Sequence, residues 1–211
     1  YNHLELRKLL LTHYQFSTQT DTETLLIGFQ KMKQDFFLHL RGMFSIIIFD
    51  KIENKIFIYR DEFGIKPLYY KVNKKTLTLC SSLDYFKKSK INKNQLHNIK
   101  KWGWELGNKT FFETIKQFPK GKLGVFDINK STLEFQELQN KGFRNKSSLF
   151  DLIKSSVKEQ SRSPYPAGIL FSGGIDSSLI ALASKELKLK LPLYTFNFKN
   201  NQKKYGYSED L

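Results

Sequence analysis

The sequence predicts two units of different class: an α+β unit over residues 1–86 and an α/β unit over residues 146–211. Three observations carry this expectation. Two helical patterns precede paired, β-rich runs in the first part. A buried-type strand, a small-residue loop, a helix and a second strand follow one another in the last part. Antiparallel strands grouped apart from helices indicate α+β, whereas strand, helix, strand in alternation indicates a parallel sheet.

Each element has its own signal. Leu4, Leu9, Leu10 and Leu11 suggest a short first helix. In "TDTETLLIGFQKMKQ", Thr20 and Glu23 fit a capping box, and Leu25, Leu26, Phe29 and Met32 give an apolar face. "MFSIIIFD" and "KIFIYRD" read as strands joined by "KIEN", and "PLYYKV" and "TLTLCSS" read as a hairpin around Asn73. Residues 87–145 read as a linker with short strands, opening on a run with six lysines and no acid between Phe86 and Lys101. Pro119 and Gly121 mark a turn within it. "KSSLFDLIKSSVKEQ" is helical, with Leu149, Ile153 and Val157 on one side and Pro164 and Pro166 beyond it. "AGILF" lacks alternation, as expected of a strand covered on both faces. A helix from about Asp176 to Leu187 and the strand "LPLYTFNF" complete a βαβ unit.

Composition narrows the function classes. With 211 residues, 40% of them hydrophobic, the chain can bury one or two cores. No apolar run reaches the ~18 residues of a membrane-spanning helix, and no membrane partner is expected. The net charge of +15 invites a nucleic-acid reading, but the lysines are spread along the chain, so no nucleic-acid partner is expected either. Cys80 stands alone, which points to a reducing, cytoplasmic setting and to a small buried hydrophobe ending the "TLTLC" strand. His3, His13, His39 and His97 show no metal-ligand spacing.

The chemistry concentrates in "GILFSGGIDSSLIAL", Gly168 to Leu182. It lies between a strand and a helix N-terminus, where open parallel sheets bind ligands. First-turn N–H groups are unpaired and carry partial positive charge. Gly173 and Gly174 let an anion reach them, and Ser172, Ser177 and Ser178 add hydroxyl donors. The loop lacks the lysine of a Walker loop, so it is a different phosphate cradle. Asp176 either stabilises the helix start or shares an Mg²⁺ with a phosphate.

"SGGIDSS" resembles the pyrophosphate loop of the N-type ATP pyrophosphatases. "LRGMFSI", "RDEFGIKPLYY", "YNHLELR", "FSTQTDTETLL" and "TFFETIKQFPKGKLGVF" together resemble the glutamine-hydrolysing asparagine synthetases over almost the whole chain. The resemblance implies an N-terminal-nucleophile αββα glutaminase-type domain at 1–86. It places an inter-domain linker at 87–145 and a parallel-sheet adenine-nucleotide α-hydrolase (PP-loop) domain from 146. It implies ATP-dependent amidation of aspartate with ammonia from glutamine, through β-aspartyl-AMP. Glutamine, aspartate and ATP are then the substrates, Mg²⁺ accompanies ATP, and a homodimer is left open.

Residue by residue, the resemblance assigns Asp21 to the α-amino group of glutamine. It assigns Leu170, Ser172, Gly173, Gly174, Ile175, Asp176, Ser177, Ser178 and Phe198 to ATP and pyrophosphate, with Asp176 as the candidate metal ligand. Arg60, Asp61 and Gly64 read as residues that shape the turn after a strand. The family's nucleophilic cysteine has no counterpart here, and Ser82 and Pro164 replace a usual glutamate and aspartate. These departures imply an internal fragment of a longer enzyme, with neither activity on its own. A β-lactam synthetase-like cyclase, another amidotransferase of the family and a non-catalytic nucleotide-binding paralogue are the alternatives.

Overall fold

The computed structural model describes residues 1–11, 14–103, 107–138, 147–162 and 165–196. The chain divides into two compact units, Asn2–Lys141 and Gly142–Leu211.

The first unit opens with helices α1 (His3–Leu10) and α2 (Asp21–Met32), the latter running into a 3-10 segment, Lys33–His39. Strands β1 (Ser45–Asp50), β2 (Lys55–Arg60), β3 (Tyr69–Asn73) and β4 (Thr76–Cys80) follow. A 3-10 turn (Leu83–Phe86) and helix α3 (Lys93–Trp102) lead to β5 (Lys116–Gln117), β6 (Lys122–Asp127) and β7 (Thr132–Glu137). They form two antiparallel sheets, ordered β1-β2-β6-β7 and β4-β3-β5.

The hairpins form where the sequence predicts, with Asp50 facing Lys55 across "KIEN" and Asn73 facing Thr76. Strand β2 has a different pattern: Phe57, Ile58, Tyr59 and Arg60 are all buried. Both of its faces are covered. Phe57 and Tyr59 pack with Phe29 and Phe37 from the helical layer. Ile58, in the opposite direction, packs with Leu68 and Phe118, joined by Tyr70, Leu77 and Leu79 of the second sheet. That sheet's outer face, at Tyr69 and Cys80, is covered by Phe86, Phe112 and Ile115. The layers are therefore helical, sheet, sheet, and a covering segment that includes a short helical turn.

Several expectations change in detail. The first helix forms, but its buried side is Leu6, Arg7 and Leu10, while Leu4, Leu9 and Leu11 stay exposed. Residues 33–39, of which the sequence places Lys33 and Gln34 in the second helix and gives 35–39 no element, wind into a 3-10 segment that buries Phe36 and Phe37 completely. The stretch read as a linker supplies α3, capped by Asn92 and ended by Gly103 at φ +82°. It also supplies β6, an inner strand of the four-stranded sheet.

The second unit contains α4 (Leu149–Gln160), β8 (Ile169–Leu170), α5 (Ile175–Glu186) and β9 (Leu193–Tyr194). Ser148 caps α4, and Lys154 of α4 pairs with Glu186 of α5 at 3.2 Å. Strands β8 and β9 pair in parallel, Ile169 with Leu193 and Leu170 with Tyr194. Parallel strands joined by α5 form the βαβ unit the sequence predicts, although each strand contributes two paired residues. The expectation that the first strand is covered on both faces fails: Ile169 is buried, but Leu170 is 72% exposed.

Candidate functional site

The glycine–serine loop follows β8 directly. Gly173 takes φ +79°, a left-handed conformation that glycine adopts without cost. Gly174 is the N-cap of α5, and no side chain caps this helix end. Its first-turn N–H groups therefore retain their partial positive charge for an incoming anion. The hydroxyls of Ser172 and Ser177 converge at 3.2 Å, and Gly174 N–H points to Ser172 Oγ at 3.4 Å. Ser177 Oγ donates to the Gly174 carbonyl at 3.0 Å. Ser172 through Asp176 are exposed, whereas Ser177 and Ser178 are half-buried.

This geometry fits a phosphate group: an uncapped helix end, two glycines without Cβ, and converging hydroxyls. Asp176 is exposed in the first turn of α5. Among the described residues no cluster of three His, Cys, Asp or Glu side chains could hold a metal. A divalent cation at Asp176 would thus draw its other ligands from phosphate and water. Leu170 stands exposed immediately before the loop. Phe198 lies outside the described residues.

In the first unit, Asp21 is the first residue of α2 and is exposed. The expected capping box is half formed. Thr20 Oγ1 accepts from Glu23 N–H at 3.4 Å, but the Glu23 carboxylate turns to the preceding loop. There it accepts from Ser17 N–H at 2.8 Å, Thr18 N–H at 2.7 Å and the Thr18 hydroxyl at 2.6 Å. The Thr18 hydroxyl and the Ser17 amide hold the Glu23 carboxyl below its ordinary pKa, with help from Arg7. Arg7 reaches the same loop from α1. It donates from Nε to Thr24 Oγ1 at 2.9 Å, from Nη1 to the Thr18 carbonyl at 2.6 Å and from Nη2 to the Thr20 carbonyl at 2.9 Å.

Sequence reasoning missed Arg7. Its signal was an arginine between Leu6 and Leu10 on the side of α1 that turns out to be buried.

Arg60 and Asp61 form a corner after β2. Arg60 donates to the carbonyls of Lys66 (2.8 Å), Phe118 (2.8 Å) and Gly64 (2.6 Å). Asp61 accepts from the amides of Ile65 (2.8 Å), Lys66 (3.0 Å) and Phe44 (3.4 Å). Gly64 sits at φ +66°. All of these partners are backbone groups, which matches a role in shaping the turn.

The comparisons with known proteins agree in both units. Residues 1–137 match the family model of the glutamine amidotransferase domain, and residues 148–210 match that of asparagine synthase. The class is thus an amidotransferase domain joined to an asparagine synthase domain. Asparagine synthetase [glutamine-hydrolyzing] 1 of Bacillus subtilis (strain 168) is 30% identical over 221 residues, covering 99% of this chain and 34% of that protein. Asparagine synthetase B [glutamine-hydrolyzing] of Escherichia coli (strain K12) is 28% identical, covering 88% of this chain and 31% of that protein. Amidase chry2 of Gibberella zeae is 23% identical, covering 86% of this chain and 29% of that protein. The chain belongs to the glutamine amidotransferase domain family, and its second unit matches asparagine synthase. It spans about a third of the length of these relatives.

Proposed function

We propose that this chain serves the ATP-dependent amidation of aspartate to asparagine with ammonia from glutamine, through β-aspartyl-AMP and with release of AMP and pyrophosphate. The observation that carries this reading is the uncapped N-terminus of α5 beneath Gly173 and Gly174. It supports a phosphate-binding role in the unit whose sequence matches asparagine synthase. The adenylation is chemically required, because a free carboxylate is a poor acyl donor and AMP is a good leaving group.

In this reading the first unit carries the glutaminase part and the second the ATP-pyrophosphatase part. The first-turn N–H groups of α5 and the hydroxyls of Ser172, Ser177 and Ser178 hold the pyrophosphate. Leu170, Ile175 and Phe198 flank the nucleotide. Asp176 holds Mg²⁺ carried by ATP, which would offset the repulsion between its carboxylate and the phosphates. Asp21 binds the α-ammonium group of glutamine. The lone Cys80 supports a reducing compartment, and we place the protein in the cytoplasm.

The likeness to an amidase across most of the chain supports a second reading, an amidotransferase with another acceptor. Aspartate-dependent exchange of labelled pyrophosphate into ATP by the full-length protein separates the two. Exchange with aspartate supports the synthetase. Exchange with another carboxylate and none with aspartate supports the second reading, and ATP binding without any exchange points to a non-catalytic paralogue.

A further inference from the structure

Arg7 lies outside every residue assigned to a substrate, yet it is tied to the loop that leads into Asp21. Its side chain is 9% exposed, and its guanidinium lies 4.3 Å from the ring centroid of Phe16. Its donors reach the carbonyls of Thr18 and Thr20 and the hydroxyl of Thr24, and Nη2 meets Glu23 Oε2 at 3.4 Å. Glu23 holds the same loop from its other side through Ser17 and Thr18. Burying a guanidinium beside a half-buried carboxylate is costly, and well-packed apolar residues often stabilise as much. The specific effect of this pair is to fix one backbone conformation from Phe16 to Thr20, immediately before Asp21.

We propose that Arg7 is a positioning residue for glutamine recognition: by holding the Thr18 and Thr20 carbonyls it fixes the backbone that carries Asp21. This rests on the reading of Asp21 as the partner of the glutamine α-ammonium group. A planar fork that bonds two carbonyls and a hydroxyl at once is not reproduced by lysine, which has the charge but not the geometry.

The test compares binding of L-glutamine and of glutaramate, which lacks the α-amino group, by calorimetry. The full-length wild-type protein and its Asp21→Asn, Arg7→Lys and Glu23→Gln variants are compared, with each variant's folding checked by circular dichroism. The expected result is that wild type prefers glutamine, that Asp21→Asn abolishes the preference, and that Arg7→Lys cuts it about tenfold, the scale of one charge-assisted hydrogen bond. Binding of glutaramate stays unchanged, which a general loss of structure would not allow. A folded Arg7→Lys variant with the wild-type preference overturns the proposal and leaves Asp21 in place. Should Arg7→Lys not fold, an undiminished preference in Glu23→Gln overturns it in the same way, and a diminished one supports it. No preference in wild type, or an intact one in Asp21→Asn, overturns the reading of Asp21 itself.

Discussion

Gly28 of α2 lies so close to the ring of Phe36 that a Cβ on Gly28 would overlap three of its carbons. Alanine at an ordinary helical glycine gains about 1 kcal/mol. Here Phe36 is completely buried and has no room to swing aside. Overpacking costs about 1–3 kcal/mol and outweighs the gain. Gly28→Ala is therefore expected to lower the urea midpoint of the first unit, and a raised midpoint would contradict this packing.

The corner at Arg60 and Asp61 predicts a pH dependence. Burial raises the pKa of Asp61, but hydrogen bonds from the amides of Ile65, Lys66, Phe44 and Phe63 outweigh that and leave it lowered. A lowered folded pKa stabilises above the unfolded value near 4, and the stability is lost as pH falls through the folded value. Asp61→Asn is expected to destabilise by about 2 kcal/mol at neutral pH, because an amide accepts these bonds less strongly. The gap between wild type and variant should close as pH falls below about 4, measured by denaturant unfolding.

Gly173 and Gly174 separate folding from binding. At φ +79°, Gly173→Ala strains the turn by about 1–2 kcal/mol. Gly174 has φ −72°, and a Cβ there meets Ser172 Oγ at an ordinary 3.4 Å. Gly174→Ala should therefore leave the unfolding midpoint unchanged while weakening ATP binding at least tenfold in a fluorescence titration, since the methyl group stands before the helix N–H groups. Unchanged ATP affinity would remove the loop from the nucleotide site.

Leu170 offers an independent check. At 72% exposure its truncation to alanine should change stability by less than ~0.5 kcal/mol. If it flanks the nucleotide, Leu170→Ala raises the Kd for ATP a few-fold. An unaltered Kd assigns its exposure to the sheet alone.

Local chemistry made much of this legible in the sequence. The strand pair around "KIEN", the hairpin at Asn73 and the Thr20 start of α2 depend on neighbours a few residues away. The glycine–serine loop was readable for the same reason. What escaped depends on distant partners. Phe36 and Phe37 wind into a 3-10 segment because the core draws them in. The basic run conceals α3, whose lysines are exposed while Gln95 is buried. Arg7 looks like a surface charge until the Thr18 and Thr20 carbonyls are seen beside it.

The pairing of β2 with β6 also sets a timetable. Ile58 and Gly124 face each other although they lie more than about sixty positions apart. At a synthesis rate of roughly 5–20 residues per second, one side of β2 waits ~3–13 seconds for its neighbour. Through that interval the apolar run "KIFIYR" has an open ladder on that side. The nascent chain is therefore most vulnerable to wrong association after its first hairpin has emerged and before residue 127 has left the ribosome.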